Sequence, residues 1–299
     1  MMIVNTHTLR LLLAAAALAL LCSCTFTRFA YNQADTAAVW AANSYFDLDG
    51  TQKEDLQKRF ERFHAWHRYQ QLPEYAQFMR TAKTRLQQGV NRDDVLWFMD
   101  GLRSRIRVAA RQGAPDAAAL LATLTPAQIE NLKKQWDKDN KKYVKEHKLN
   151  GTQEERVQAE AKRTIKHIND WLIPLTAEQE QRVLELCRDL PADMYQLHYA
   201  DRLRRQKDFL EVLDHRNEDR ARFTQRVTEW ITNWEKGRSP EYQKKLDLWW
   251  QKRADILVAV DKTLSQQQRT AALQRVQAYA DDFLVLASRG SEPKTASRD

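Results

Sequence analysis

The residues whose types could hold a metal ion are Glu61, His64 and His67, which follow one another at intervals of three. On a helix this spacing puts His64 beside both neighbours, but Glu61 and His67 diverge by about 120°. A catalytic metal needs two or three converging ligands and an open position. The pattern therefore favours histidines that pack or form hydrogen bonds on an aromatic helix. We predict no metal, no cofactor and no catalytic residue.

The N-terminal residues up to Cys24 form the most informative stretch of the sequence. A short basic start without acidic residues is followed by an apolar run from Leu11 to Leu21. This order is typical of a secretory signal, because the run is about half the ~20 residues that cross a bilayer. Leu21 lies three places before Cys24 and the small residue Ser23 directly before it, which resembles the bacterial lipobox. The resemblance implies cleavage before Cys24 and acylation of the new N-terminus.

The residue after Cys24 is Thr25 rather than aspartate. By the sorting rule that the lipobox likeness implies, the protein is expected to be an outer-membrane lipoprotein that faces the periplasm. After cleavage Cys187 is the only other cysteine, so the mature chain can form no intrachain disulfide. Cys187 lies on an apolar helical face, which favours a buried, inert thiol.

Composition indicates an all-α protein. The chain has 299 residues with only seven glycines and seven prolines, too few for many strands joined by tight turns. Its 48 basic and 40 acidic residues give a net charge of +8 without a recognisable nucleic-acid-reading motif, so nucleic acid is not an expected partner. A positive envelope protein could meet anionic lipid head groups or acidic proteins, whereas interleaved charges on solvated helix faces would need no partner.

Capping boxes mark several helix starts, because a hydroxyl and a Glu or Gln three residues later can exchange hydrogen bonds with the backbone. With the apolar periodicity they predict about eleven or twelve helices, in an array or bundle. The expected caps are Thr51, Thr125, Thr152, Thr176 and Ser265. Prolines expected to open helices are Pro73, Pro115, Pro191 and Pro240.

A stripe of five lysines lies opposite the apolar side of the helix after Thr125. One interpretation is a solvated face, and the other is a docking surface for anionic head groups or an acidic protein. The candidate anion-binding residues are Lys134, Lys138, Lys141, Lys145 and Lys148.

Sequence markers recur in the same order in two halves of the chain, with different spacings. Tandem duplication of a helical unit and coincidence among common cap residues both explain this pattern. The predicted divisions are a signal peptide (1–23), a lipidated N-terminal segment (24–47), helical unit A (48–149), a connecting helix (150–174), helical unit B (175–287) and a disordered tail (288–299).

Beyond the lipobox, the chain resembles a group of uncharacterised proteobacterial lipoproteins known only as a domain of unknown function. The likeness rests on Tyr45-Phe46-Asp47-Leu48-Asp49, on Trp66-His67-Arg68, on Leu72-Pro73-Glu74-Tyr75-Ala76 and on later Leu-Thr-x-x-Gln helix starts. It implies no activity. The starts at Leu124 and Leu175 are also similar to those of small periplasmic stress chaperones, which are helical and present a concave surface to unfolded clients.

These observations predict a lipid-anchored cell-envelope protein that works by binding or as a structural protein, without enzymatic chemistry. Its expected partners are the membrane, through lipid on Cys24, and envelope proteins or anionic head groups. A periplasmic chaperone is one alternative, favoured by a cradle of exposed apolar and basic residues. A hydrolase of an envelope polymer is the other, favoured by convergent carboxylates of raised pKa.

Overall fold

The computed structural model describes residues 27–171 and 174–288. Helices comprise 84% of these residues and no strand occurs among them, which confirms the predicted all-α class. A short helical segment spans 27–32, and a π-helical turn, His67–Gln71, joins α2 to α3. The eleven helices with defined ends in this part of the chain are α1 (Ala34–Phe46), α2 (Gly50–Trp66), α3 (Leu72–Gln87), α4 (Arg92–Leu121), α5 (Pro126–Glu146), α6 (Gln153–Trp171), α7 (Ala177–Cys187), α8 (Met194–Asp214), α9 (Arg220–Thr232), α10 (Pro240–Thr263) and α11 (Gln266–Ser288).

Four of the five predicted caps are present. Thr125 and Thr176 form complete capping boxes at α5 and α7, and Thr152 and Ser265 exchange the same bonds at α6 and α11. The prediction for Thr51 was wrong. Asp49 caps α2 instead. Its carboxylate accepts a hydrogen bond from Gln52 N, and Oε1 of Gln52 accepts one from Asp49 N.

Glutamine side chains of these capping boxes join the helix starts in pairs. Gln52 and Gln128 exchange amide hydrogen bonds, and Gln52 also donates to Thr123. The second half repeats the arrangement: Gln179 and Gln268 exchange amide bonds, and Gln179 donates to Thr263. All four glutamines are buried. Two matching junctions therefore lie where the sequence markers recur, as a duplication would produce.

Two of the buried clusters join the two sequence halves. One buried cluster combines Leu48, Leu121 and Leu132 of the first half with Leu213 and Phe223 of the second. Another joins Phe78 and Met79 on α3 to Ala280 on α11. Helix α11 packs along α3, and α9 packs along α4. Each half therefore covers apolar faces of the other, while the predicted division into units A and B stays a prediction.

No helix in the described part of the chain is long and apolar enough to span a bilayer. The predicted signal peptide, Cys24 and residues 289–299 of the predicted tail lie outside the described residues.

Candidate functional site, an apolar groove between helices

An apolar groove of about 520 Å³ lies between the first half of α4 and helices α6 and α10, with α3 and α11 at its sides. Most of its lining side chains are aliphatic or aromatic, among them Val95, Phe98, Met99, Leu257 and Val276. Many are only partly buried, so the groove is open to a ligand. Its volume is within the range of small-molecule sites, about 300–1,000 Å³.

The wall that α4 contributes depends on Gly101. A Cβ atom there would lie 2.6 Å from Phe78 Cζ, so only glycine lets the Phe78 ring pack against this turn. Phe78 in turn stacks on Phe98 at a centroid distance of 5.1 Å and touches Trp97 at 4.9 Å. These contacts hold two groove-lining aromatic rings in place.

Two carboxylates, the buried Asp261 and the half-buried Asp94, hold the edge of the groove beside the loop between α3 and α4. Asp261 of α10 accepts from Val90 N at 3.1 Å and from Arg269 Nη1 at 2.9 Å. Asp94 of α4 pairs with Arg85 at 2.6 Å, and that guanidinium lies over the Trp97 ring. Both carboxylates are therefore bound to partners of the chain itself.

A second chamber of about 310 Å³ lies beside the groove. The two share Val95, Met99, His167, Arg253 and Leu257 as lining residues. Its other walls come from His147, directly after α5, and from α6, α8 and α10. The residues that give this chamber its polar character are His147, Glu160, Arg163, Tyr195 and Arg253.

Glu160 is the centre of this polar cluster and is only 4% exposed. Its carboxylate accepts hydrogen bonds from Arg253 Nη1 and Tyr195 Oη, and from Arg163 Nη2 at 2.9 Å. Burial by itself would raise the pKa of Glu160, but the charge of Arg253 and the bonds from Tyr195 and Arg163 hold that pKa below its usual range. Glu160 is therefore ionised at neutral pH.

The cluster holds one more positive charge than negative. Two guanidinium groups flank one carboxylate, whereas burial and the nearby Arg163 lower the pKa of His147 to about 4 and leave it neutral. Burial and Glu160 raise the pKa of Tyr195, which stays protonated. Within the described part of the chain only Nη1 of Arg253 forms hydrogen bonds, so Nε and Nη2 remain as donors. The chamber can therefore hold an anionic group.

Local packing explains how the sequence produces this site. Val157, Ala161, Thr164 and Ile168 form the inward stripe of α6, and Glu160 lies within that stripe. In the sequence, the one signal of this site is the charged residue Glu160 on an otherwise apolar helix face. Its partner Arg253 lies 93 positions away on α10, a pairing that local spacing cannot reveal.

Residues 44–243 match the pattern of a described protein family. The chain belongs to DUF6279, a family of unknown function. The predicted likeness to a family of unknown function is therefore confirmed, whereas its proteobacterial and lipoprotein nature stays a prediction. No curated protein and no solved structure matched the chain. The match to DUF6279 includes the α4 and α6 walls of the groove and ends within α10, before Arg253.

The predicted anion-binding lysines lie away from the groove. Lys134, Lys138, Lys141 and Lys145 are exposed on α5, and no ion pair involves them within the residues that the structure describes. Lys148 is also exposed, but it follows the end of the helix with a φ of 53°. The prediction that it continues the helical stripe was wrong, because α5 ends at Glu146.

The histidine cluster holds the N-terminal segment in place. The Tyr31 ring lies 4.4 Å from the His64 ring and 5.8 Å from the His67 ring, and its hydroxyl bonds to His67 Nδ1 at 3.0 Å. Glu61 instead accepts from Gln57. In residues 27–171 and 174–288 no group of His, Cys, Asp or Glu could hold a metal ion. Cys187 is buried, as predicted, and burial raises its pKa to about 11.

Proposed function

We propose that the protein is a non-catalytic binding protein of the cell envelope, which takes an amphipathic ligand with an apolar chain and one acidic head group. The apolar groove would hold the chain, and the second chamber would hold the head group beside Arg253. One observation carries this proposal: an apolar groove shares five lining residues with a chamber whose buried carboxylate is bound to two arginines. A long-chain fatty acid is the simplest ligand of this chemistry.

Electrostatics support an anionic head group. Glu160 neutralises one of the two guanidinium groups, and the second charge has no carboxylate of its own in the chamber. Charge-assisted hydrogen bonds are roughly twice as strong as neutral ones, and arginine suits planar carboxylates. His147 Nδ1, buried and without a hydrogen-bond partner in the described residues, is a further polar atom in this chamber.

The hydrolase alternative gains no support from this cluster. A glycosidase needs one carboxylic acid with a raised pKa that protonates the leaving group. The pKa of Glu160 is lowered instead, and its oxygens are occupied by Arg163, Arg253 and Tyr195. Asp94 and Asp261 at the rim are bound to arginines.

The chaperone alternative also stays a prediction. Its likeness rests on the Leu-Thr-x-x-Gln starts, whose glutamines Gln128 and Gln179 are buried in the helix junctions. The motif thus explains how helices meet, and no part of it lines the groove. Anchorage through lipid on Cys24 and location in the outer membrane, facing the periplasm, belong to the proposal and rest on the lipobox and Thr25.

A photoreactive fatty acid tests the binding proposal. Isolated membranes carrying the full-length protein would be incubated with palmitate bearing a diazirine and an alkyne, irradiated, and analysed for labelled peptides by mass spectrometry. We expect adducts on α4, α6 and α10. Leu257→Glu should reduce them at least tenfold, because a charge enters the apolar wall. A long-chain alcohol should compete more weakly than the acid.

Leu248→Glu is the matched control. Leu248 lies on the same helix, is 44% exposed against 37% for Leu257, and does not line the groove. Labelling should survive this substitution. Adducts that lie outside the groove, or that Leu257→Glu leaves unchanged, would contradict the proposal.

A further inference from the structure

The N-terminal helical segment presents a face without charge. Between residues 29 and 46 nine side chains are exposed, and none of them is ionisable. They are Phe29, Ala30, Asn32, Gln33, Thr36, Ala37, Trp40, Ala41 and Ser44. In a chain with 29% charged residues an uncharged exposed helix face is unusual for a surface that meets only water.

Two large aromatic side chains dominate this face. Phe29 is 60% exposed and Trp40 is 73% exposed. They are eleven residues apart in the chain, a spacing close to three helical turns. A turn at Gln33, with φ −100° and ψ 9°, separates the segment 27–32 from α1. Hydrogen bonds from Gln33 N to Phe29 O and from Ala37 N to Gln33 O link the two pieces across this turn.

Contacts to the body fix the direction of this face. Arg28 pairs at 2.6 Å with Asp282, a carboxylate only 2% exposed on α11. Arg68 donates to Asn32 Oδ1 at 2.7 Å and lies over the Tyr31 ring. Further along, α1 packs against α2 and α5. The segment is therefore part of the packed body, and its neutral face points outward.

We propose that this neutral face lies in the interface of the membrane that holds the protein, with Phe29 and Trp40 among the lipid head groups. The inference rests on the proposed anchor at Cys24. Cys24 precedes Phe29 by five residues, which span at most about 18 Å of chain, so an acyl group on Cys24 keeps Phe29 near the bilayer. Aromatic side chains are enriched at this depth, and amphipathic segments commonly supplement lipid anchors.

The absence of charge on this face favours the membrane interface over water as its surroundings. Asp35, the one Asp, Glu, Lys or Arg residue of α1, accepts hydrogen bonds from Thr36 N and from the Gln57 side chain of α2. The outward face thus carries no charge that would have to be desolvated in the interface. A second copy of the chain is the other occupant that such a face could accept, and the experiment separates the two.

Quenching of tryptophan fluorescence by brominated lipid tests the inference. The full-length lipidated protein would be reconstituted into vesicles of phosphatidylethanolamine and phosphatidylglycerol, with or without bromine near the glycerol end of the acyl chains. We expect brominated vesicles to quench the wild type, and Trp40→Phe to remove most of that quenching. Trp234→Phe is the matched control: Trp234 is half-buried after α9, and its loss should leave the quenching in place.

The outcomes are distinguishable. If the protein floats with the vesicles but Trp40→Phe is quenched like the wild type, the interfacial contact is refuted while the lipid anchor stands. If the protein does not float, anchor and contact both fail. If Trp40→Arg converts an oligomer in detergent into a monomer without any effect of brominated lipid on the wild type, the face binds a second copy and the proposal is overturned.

Discussion

Gln52 and Gln128 are bound to each other through both amide groups, across a junction at which two helices begin. The distance from Gln128 Nε2 to Gln52 Oε1 is 2.6 Å, and each glutamine also completes a capping box of its own helix. One side chain therefore caps a helix and ties it to another. Gln179 and Gln268 repeat this relationship in the second half of the chain.

Removal of either pair should destabilise the protein. Gln128→Ala removes the donor to the Asp47 carbonyl and the two amide bonds with Gln52 from a buried junction. Gln268→Ala likewise removes the donor to the Pro174 carbonyl and the two amide bonds with Gln179. We expect each change to lower the free energy of unfolding by about 1–3 kcal/mol. Urea denaturation followed by circular dichroism measures this loss. Gln266→Ala, an exposed position in the first turn of α11, is the control, and equal midpoints for Gln266→Ala and Gln268→Ala would contradict the prediction.

Gly101→Ala should destabilise the groove wall, whereas Gly113→Ala on the same helix should not. A Cβ at Gly101 collides with the Phe78 ring, while at Gly113 it would meet Phe63 at an ordinary 3.6 Å. We expect a loss of about 1–3 kcal/mol at Gly101 from overpacking. At Gly113 we expect a gain of up to about 1 kcal/mol, because alanine favours the helix over glycine. Thermal unfolding of both variants tests the contrast, and changes of the same sign would refute it.

Helix starts were predictable because a cap is a local feature. Thr125 and Thr176 need only the Gln three residues later, and the sequence displays both. At the start of α2, Asp49 and Thr51 are both suitable N-cap residues. Because Asp49 is the N-cap, Gln52 lies at the third helical position, where its side chain binds Gln128. That requirement comes from a segment 76 residues away and is invisible in a local pattern.

Positions that depend on tertiary packing escaped prediction for the same reason. Pro240 opens α10 as expected, but the prediction for Pro115 was wrong, since it lies inside the 30-residue helix α4. The groove is also a product of tertiary packing, and the sequence did not predict it. Its charged centre joins Glu160 to Arg253 from separate helices, and sequence periodicity gives each helix an inward face without saying which faces meet.

Acidification should destabilise the protein through His67. Burial, and then the neighbouring His64, lowers the pKa of His67 from 6.5 to about 4 in the folded state. The unfolded chain therefore takes up a proton first as the pH falls, and the stabilisation present above about pH 6.5 is lost progressively towards pH 4. Denaturation at several pH values measures this trend. His67→Phe cannot titrate and should flatten it, although His147 keeps part of the slope because its pKa is also about 4. Identical slopes for wild type and His67→Phe would rule out this origin.

Cys24→Ala should abolish incorporation of radiolabelled palmitate and leave the precursor unprocessed or mislocalised. The expectation follows from the lipobox, in which Cys24 supplies the acylated N-terminus. Cys187→Ala is the matched control and should keep the label, because Cys187 is buried. On a sucrose gradient the wild type should sediment with outer-membrane markers. Equal labelling of Cys24→Ala and wild type, or a wild type that sediments with inner membranes, would contradict the corresponding part of the proposal.

The five exposed lysines should add a salt-sensitive attraction to anionic membranes. Each lysine near such a surface contributes about 1 kcal/mol, and this contribution fades with salt. Protein lacking residues 1–24 should therefore float with phosphatidylglycerol vesicles at low salt and less at high salt, and changing all five lysines to glutamine should remove that difference. The charge-matched control changes five other exposed lysines to glutamine: Lys58, Lys162, Lys207, Lys244 and Lys262. If both variants lose the same binding, only net charge matters, and the four lysines of α5 together with Lys148 form a solvated surface without a specific partner.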